Sequence, residues 1–220
     1  MGRSGATGQL ALLQTLPAPG EIELMHGDAL DLIEHFPPFD LLVTDPPYAF
    51  GGQGTDEWAL SATVAVVLRE AARRLRRGGW AVIFAAQSWR STAYMIEAVR
   101  GVLEPVRFGT WAKPGAQSKV RTPGWAWASV NVIVLRKPGG DVCGEPMPDP
   151  DYIVAAPVMN GRRAQLPPSV AWWAVSPFAQ TAGLALDPFA GTGELLRAAT
   201  RCRMRAVGFE RNPATLEAVA

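Results

Sequence analysis

The sequence is poor in the residues that build metal centres, disulfide frameworks and histidine-based catalytic sites. Its two cysteines, Cys143 and Cys202, lie far apart in the chain. Their separation lacks the close spacing of metal ligands and makes no disulfide framework, so we predict no metal site and a reducing cytoplasm as the location. For the two histidines, His26 and His35, we expect surface or helix-capping roles.

The sequence also lacks an excess of charge of either sign. With 21 basic and 20 acidic residues the net charge is +1, which excludes a global basic field, so any nucleic-acid site must be a local patch. The N-terminal segment is too short and too broken for a membrane span or an export signal, and we expect no membrane association. At 220 residues and 48% hydrophobic content, the chain suits one α/β domain over residues 1–220.

Most of the chain alternates between strand-like and helix-like patterns, which predicts a doubly wound, mainly parallel sheet. One long helix is expected from Asp56 to a stop at Gly78-Gly79, followed by a buried strand at 80–86. Two further strands, 106–113 and 130–137, are expected to pair as an antiparallel hairpin at the sheet edge. The remaining predicted strands are 21–28 and 39–45, and the stretches that begin "GLALD" and "MRAVGFE".

Two stretches rich in glycine and proline, 114–128 and 138–168, are predicted to be loops. Basic and aromatic side chains are interleaved there, a composition that suits contact with nucleic acid, although ordinary solvent-exposed charges would look the same. The basic run "RRLRR" (73–77) is a weaker candidate, because a basic helix end commonly faces solvent. The candidates in the loops are Lys119, Arg121, Trp125, Arg162 and Arg163.

The stretch "LALDPFAGTGELL" (184–196) is a strand that runs into a glycine turn before a helix. Such glycines allow a ligand to approach the backbone, although a simple tight turn between a strand and a helix has the same sequence pattern. Glu210, in "GFERNP", follows the turn by roughly 20 residues, the placement from which a carboxylate binds ribose hydroxyls. A nicotinamide cofactor would call for a third glycine where Arg197 stands, so another nucleoside cofactor is favoured.

The stretch "LLVTDPPYAFGG" (41–52) is a buried strand that ends in Asp45, two prolines and Tyr48. A strand-terminating turn is the plain interpretation. A chemical interpretation is that the Asp45 carboxylate and the Pro46 carbonyl accept the two N–H groups of one amine, while the fixed φ of proline holds that carbonyl in place.

Together, "DPPY" and "DPFAGTG" resemble the amino-methyltransferases of DNA, which transfer a methyl group from S-adenosylmethionine (SAM) to adenine or cytosine. The catalytic motif comes first, as in the beta class of that family. The resemblance covers most of residues 21–219, since "MHGDAL", "LRRGGWAVIF" and "TWAK" also match. It implies a permuted Rossmann-like methyltransferase fold with seven strands, SAM as the cofactor and double-stranded DNA as the partner.

The resemblance also implies roles for individual residues. Tyr48 would stack on a base flipped out of the duplex. Asp28 would bind the adenine amine of SAM or cap the following helix. The implied catalytic residues are Asp45, Pro46, Pro47 and Tyr48, and the implied cofactor residues are Asp28, Ala29, Asp45, Asp187, Pro188, Phe189, Gly191, Thr192, Gly193, Glu210, Arg211 and Asn212.

Two positions depart from the family pattern. The chain has Leu166 where relatives usually carry a lysine between Gln and Pro, and it has Glu194-Leu195 where they often carry small residues after the second glycine. Neither change removes a predicted catalytic group. Both alter the surroundings of the methionine part of the cofactor.

An Asp at the first position of the catalytic motif favours adenine N6 in this family, with cytosine N4 as the alternative. RNA, a protein side-chain amide, or a non-catalytic nucleic-acid-binding role are further alternatives. Because the two recognition loops are short, we predict either a short target site or the help of a second copy, that is, a homodimer.

Overall fold

A computed structural model describes residues 16–47, 57–87, 89–115, 128–142, 144–158 and 165–217. Within these ranges eight strands form one sheet, with six α-helices around it. The strands are β1 (Ile22–His26), β2 (Phe39–Thr44), β3 (Leu75–Ala86), β4 (Glu104–Ala112), β5 (Ser129–Arg136), β6 (Tyr152–Val154), β7 (Leu184–Asp187) and β8 (Arg205–Glu210). The helices are α1 (Ala29–Ile33), α2 (Glu57–Arg74), α3 (Trp89–Ala98), α4 (Pro168–Val175), α5 (Glu194–Arg201) and α6 (Pro213–Glu217), and a 3-10 turn (Ser176–Phe178) follows α4.

The strand order is β1-β8-β7-β2-β3-β5-β4-β6. Only the two pairs that involve β5 are antiparallel; the other five pairs are parallel. Every strand except β5 therefore ends at the same edge of the sheet, which we call the carboxyl edge. In open α/β sheets ligands bind outside this edge.

Hydrophobic cores cover both faces of the sheet. Leu42 packs with α1, α2 and α3 on one face, whereas Leu41 and Val43 pack with α4 and α5 on the other. None of these three side chains is exposed to solvent. This two-sided burial explains why "FDLLVT" is a continuous apolar run without alternation.

The predicted doubly wound, mainly parallel sheet is confirmed, with one strand more than expected. The additional strand is β6, which lies in the stretch 138–168 predicted to be a loop. It pairs with β4 from Thr110 to Ala112. The antiparallel β4-β5 pair was predicted at the sheet edge, but β6 is the edge strand instead. A three-residue strand is too short for its periodicity to be seen in a sequence.

The long helix ends earlier than predicted. It stops at Arg74, and β3 begins at Leu75 instead of at residue 80. Just beyond the end of the helix, Arg76 donates to both carboxylate oxygens of Asp40 on β2, each at 2.8 Å. Gly78 then adopts φ +83° in the tight space beside the Asp141 carbonyl, a conformation that favours glycine.

Two observations concern hydrophobic surface. Trp89, at the start of α3, is 89% exposed, and Trp172 on α4 is 38% exposed. Trp173 is partly buried and donates its indole N–H to the Pro150 carbonyl. In the part of the chain that the structure describes, no helix is both long and apolar enough to span a bilayer.

Candidate active site

Four carboxylates occupy the carboxyl edge of four adjacent strands. Asp28 follows β1, Glu210 ends β8, Asp187 ends β7 and Asp45 follows β2. The two sequence motifs are far apart in the chain, yet their strands β2 and β7 are direct neighbours, with Leu41 paired to Ala185. The fold therefore places the candidate catalytic acid beside the candidate cofactor turn.

A cleft of about 340 Å³ opens at this edge. Its walls combine carboxylates with apolar side chains, a composition suited to a nucleoside that carries a positive charge. The lining residues are Gly27, Asp28, Ala29, Asp45, Pro47, Thr63, Val64, Val67, Pro188, Phe189, Phe209, Glu210 and Arg211.

Glu210 is held rigidly between two turns. One carboxylate oxygen accepts the Gly191 N–H at 3.0 Å, and the other accepts the Asn212 N–H at 2.7 Å. Each oxygen keeps a second lone pair for a further donor, such as a hydroxyl group of a ligand. The side chain is therefore fixed in a position where a ligand in the cleft can reach it.

The glycine turn after β7 leaves room above the backbone. Gly191 has φ +52°, and no described atom lies within 4 Å of the place where a Cβ would stand. Gly193, at φ +79°, precedes α5 and its N–H donates to the Ala190 carbonyl at 2.8 Å. Positive φ at both positions explains why the turn requires glycine, and the free space at Gly191 suits close approach by a ligand.

Asp187 lies behind the cleft wall. It is 2% exposed, accepts the Thr44 hydroxyl at 2.6 Å, and accepts the Phe189 N–H at 3.0 Å through the same oxygen. Burial raises the pKa of this carboxyl group to about 7; the two hydrogen bonds oppose the rise, and the nearby charges of Asp45 and Glu210 add to it. Through its hydrogen bonds to Thr44 and Phe189, Asp187 joins the ends of β2 and β7 from behind the cleft wall.

Asp28 serves as the N-cap of α1, where its side chain accepts the Leu30 N–H at 2.9 Å. It also lines the cleft. The capping alternative considered for this residue is therefore observed, and it leaves the second carboxylate oxygen for other partners. A direct role toward a cofactor stays a prediction.

The residues of the "DPPY" motif that the structure describes lie at the boundary of the cleft. Asp45 is half-buried, Pro46 is buried, and Pro47 is exposed and contributes to the lining together with Asp45. The buried proline holds the chain in a fixed direction as it leaves β2. Tyr48 lies outside the described residues, as do Lys119, Arg121, Trp125, Arg162 and Arg163.

Most of the predicted cofactor residues line the cleft, and the others lie near it. Asp187, Gly191, Thr192, Gly193 and Asn212 support the two turns instead of forming the walls. Among the described wall residues, Gly27, Thr63, Val64, Val67 and Phe209 were not predicted as site residues. Val64 and Val67 had the apolar spacing of a core helix, which gave no sign that they also face a cleft.

The departure at Glu194 has a local explanation. Arg197 donates to the Glu194 carboxylate at 2.9 Å and to the Thr192 carbonyl at 2.6 Å. Glu194 in the first turn of α5 also suits the helix dipole. The arginine that stands in place of a third glycine thus braces the turn.

The basic run 73–77 makes structural contacts. Arg73 pairs with Glu70, Arg74 donates to the carbonyls of Phe36 and Glu34, and Arg76 pairs with Asp40. The run lies at the edge of the sheet opposite the cleft, because β3 begins there. Arg73, Arg74 and Arg76, three of the four arginines in the run, therefore have partners within the protein itself.

Several solved structures resemble this chain along nearly its whole length. M1.HpyAVI in complex with SAM has 19% identity and a TM-score of 0.73, and the match covers 90% of this chain and 97% of that one. The PvuII DNA methyltransferase, which is cytosine-N4-specific, has 16% identity, a TM-score of 0.71, and coverage of 93% and 89%. A Thermus thermophilus protein provisionally assigned as a DNA modification methylase, complexed with SAM, has 26% identity, a TM-score of 0.69, and coverage of 90% and 91%.

The PvuII enzyme is a DNA methyltransferase, the Thermus protein is provisionally assigned as a DNA methylase, and two of the three structures contain SAM, in agreement with the beta-class resemblance of the sequence. The chain therefore has the Rossmann-like fold of those methyltransferases, as predicted. No protein-family model matches the sequence, and no curated protein matches it.

Proposed function

We propose that this protein is a SAM-dependent DNA methyltransferase that acts on an exocyclic amine, adenine N6 in preference to cytosine N4. The observation that carries the proposal is the position of Asp45. It lines the same cleft as Asp28 and Glu210 and lies at the end of the strand next to the glycine turn. A carboxylate beside a nucleoside site is the arrangement that amine methylation needs, because acceptor and methyl donor must meet at one nitrogen.

The described residues fit SAM. Glu210 suits the ribose hydroxyls, Asp28 suits the adenine amine, and the apolar side chains of Val64, Val67 and Phe189 suit the purine ring. The space above Gly191 suits the methionine part. When bound, SAM supplies a methyl group on a positively charged sulfur, and the carboxylates at the cleft favour that charge.

Asp45 and Pro46 orient the target amine. An aromatic amine is a weak nucleophile because its lone pair is delocalised into the ring. Hydrogen bonds from its two N–H groups to the Asp45 carboxylate and the Pro46 carbonyl favour tetrahedral geometry and direct the lone pair toward the methyl group. The carboxylate also stabilises the positive charge that develops on the nitrogen. Orientation of this kind contributes up to about 7–11 kcal/mol in model reactions.

The preference for adenine rests on the Asp at the first position of the catalytic motif. Cytosine N4 is the second candidate, and the resemblance to the cytosine-N4-specific PvuII enzyme supports it. Both bases present the same amine beside a ring nitrogen, so the same pair of acceptors serves either one. Tyr48 would stack on the flipped base.

Double-stranded DNA in the bacterial cytoplasm is the proposed partner. We assign its recognition to the segments 114–128 and 138–168, the second of which contains β6, with Lys119, Arg121, Trp125, Arg162 and Arg163 as the proposed contacting residues. Because these loops are short, we infer a short target site or a homodimer. One domain over 1–220 would hold all of these parts.

The function is tested with purified protein and methyl-labelled SAM. Duplex DNA, RNA and a protein extract are supplied separately, and the modified nucleoside or amino acid is identified by mass. We expect N6-methyladenine in DNA. N4-methylcytosine would correct the base, and label confined to RNA or protein would refute the DNA assignment.

Two substitutions separate chemistry from cofactor binding. Asp45→Ala should lower kcat about 100- to 1000-fold, because it removes a charged acceptor at the reacting nitrogen. Glu210→Gln should weaken SAM binding about 10- to 100-fold, since a ribose acceptor is lost. SAM affinity is measured by calorimetry for both variants. A rate for Asp45→Ala close to that of the wild type would refute the mechanism.

A further inference from the structure

Lys113 lies on the side of Asp45 that faces away from the cofactor cleft. It follows β4, which runs parallel to β2 and ends at the same carboxyl edge. In the strand order, β1, β8 and β7 flank β2 on one side, whereas β3, β5 and β4 lie on the other. The proposed cofactor residues come from the first side. In the proposed function, a flipped base would approach Asp45 from the other side, where Lys113 lies.

Lys113 is held through its backbone, and its side chain lies against an aromatic ring. Its backbone N–H donates to the Ala128 carbonyl at 2.7 Å, and its Nζ lies 5.2 Å from the centroid of the Trp111 ring. Trp111 is 6% exposed and donates its indole N–H to the Ala155 carbonyl at 2.9 Å. A cation above a fixed aromatic ring is attracted to the ring face, so the ammonium group has a defined position.

The charge of Lys113 interacts with that of Asp45. Lys113 is half-buried, and its partial loss of water lowers the pKa of its ammonium group, while attraction to the Asp45 carboxylate opposes that shift. Attraction between two charges is mutual, so the same interaction favours the ionised form of Asp45.

Among the described residues, the other charged groups that act on Asp45 come from the cofactor side. Asp187 on β7 and Glu210 on β8 are acidic, and both lie close enough for the three carboxyl groups to influence one another. Asp28 and Arg211 lie in the same cleft. Lys113, in contrast, is a cation on the substrate side. A base that binds there would displace water, which makes the ionised form of Asp45 less favourable.

We propose that Lys113 is a positioning residue that keeps Asp45 ionised and oriented as the acceptor of the amine N–H. This inference rests on the proposed function for its role in catalysis. The dependence of the Asp45 charge on Lys113 does not rest on the proposed function. A protonated Asp45 would lose its charged acceptor, so the loss of Lys113 should be felt most at low pH.

The charge of Asp45 can be followed without any substrate. The carboxyl carbons of aspartate are labelled with ¹³C, the Asp45 signal is identified by its loss in Asp45→Asn, and the protein is titrated by NMR. In Lys113→Met we expect the midpoint of the Asp45 titration to rise by at least about half a pH unit, and in Lys113→Arg we expect it to stay close to that of the wild type. Equal midpoints in Lys113→Met and the wild type would overturn the inference.

A matched control is Lys137→Met. Lys137 is also half-buried, but its Nζ donates to the carbonyls of Ala72 and Arg73 at the end of α2, on the opposite edge of the sheet. This control should leave the Asp45 midpoint unchanged. An equal rise in both methionine variants would mean a general loss of structure and would overturn the specific role.

The kinetic consequence is a shifted pH profile. In Lys113→Met the acid limb of kcat/KM for DNA should move to higher pH by the same amount as the NMR midpoint, with SAM affinity changed less than about threefold and with recovery in Lys113→Arg. A loss of equal size at every pH would overturn the inference, since it would indicate contact with DNA instead. If the wild type methylates no DNA, the proposed function fails, and the NMR titration still decides the role of Lys113.

Discussion

At the scale of single residues, Asp187 is a motif residue that joins two strands of the sheet. Its carboxyl group is buried behind the cleft and joins the ends of two strands through Thr44 and the Phe189 N–H. A buried acid of this kind changes the pH dependence of stability. Its pKa is raised from 3.8 to about 7, so the folded protein holds a proton that the unfolded chain releases.

We therefore expect Asp187→Asn to flatten the pH dependence of stability. In the wild type, the unfolded chain releases the Asp187 proton as pH rises from about 4 to 7 while the folded protein keeps it, which lowers the free energy of unfolding by up to about 4 kcal/mol across that window. Both hydrogen bonds of Asp187 use Oδ1, so asparagine can keep them. Urea unfolding from pH 4.5 to 8 measures the effect.

The control for this prediction is Asp31→Asn, which changes an exposed acid in the first turn of α1. It should retain the slope of the wild type. If Asp187→Asn also retained that slope, the buried group would not titrate in this window.

At the scale of elements, the turn between β7 and α5 and the strand β8 contain glycines for different reasons. A Cβ at Gly208 would lie 2.5 Å from Leu196 Cδ1 and 2.6 Å from Ala190 Cβ, so packing excludes it. Gly191 meets no described atom within 4 Å but has φ +52°. Gly208 is therefore required by the packing of the fold, whereas Gly191 leaves space for a ligand.

Alanine at the two positions should separate these roles. Gly208→Ala should lower the free energy of unfolding by about 1–3 kcal/mol through overpacking. Gly191→Ala should cost about 1–2 kcal/mol of backbone strain and, in addition, weaken SAM binding at least tenfold. Calorimetry of SAM binding by each folded variant gives the comparison. Equal loss of affinity in both would contradict the assignment of Gly191.

The entry into β3 depends on one ion pair. Asp40 is 8% exposed; it accepts from Arg76 and also accepts the Leu184 N–H of β7 at 2.8 Å. Asp40→Ala leaves that N–H without this acceptor and should lower the free energy of unfolding by about 1–3 kcal/mol. In the Asp40→Ala background, Arg76→Ala should lower the free energy of unfolding by almost nothing more. A double-mutant cycle measured by urea unfolding tests this coupling, and additive losses of the two substitutions would contradict it.

At the scale of the whole molecule, one sheet carries both halves of the proposed site. The strands β1, β8, β7 and β2 hold the cofactor side, and β3, β5, β4 and β6 hold the substrate side. Because hydrogen bonds run without a break from β1 to β6, stabilisation at the cleft should reach the far half. All eight tryptophans lie between residues 58 and 173, outside β1, β7 and β8.

SAM at 100 times its Kd should therefore raise the free energy of unfolding by about 2.7 kcal/mol in a single transition. Circular dichroism follows the whole sheet, and tryptophan fluorescence follows mainly the substrate side. Both midpoints should move together on heating. A shift seen by circular dichroism alone would mean that the two halves unfold separately.

The amino-acid sequence by itself determined most of the strands and helices and where the candidate site residues lie along them. Parallel strands buried on both faces must be continuous apolar runs, and "FDLLVT" and "GLALD" are such runs. The acids and glycines that end these strands are local features, so Asp45, Glu210 and the turn at Gly191 could be named in advance. Their order along the chain also identified the permuted arrangement.

Only the tertiary structure decided what depends on neighbours that are distant in sequence. Thr44 donates to Asp187 across 143 residues. Lys113 and Asp45 influence each other electrostatically because β4 and β2 end at the same edge of the sheet. β6 exists because β4 offers it a partner, and α2 ends at Arg74 as Arg76 turns toward Asp40. A sequence pattern reports the burial and local geometry of each residue. The energy of pairing two distant strands depends on both strands together, so neither stretch of sequence reveals it alone.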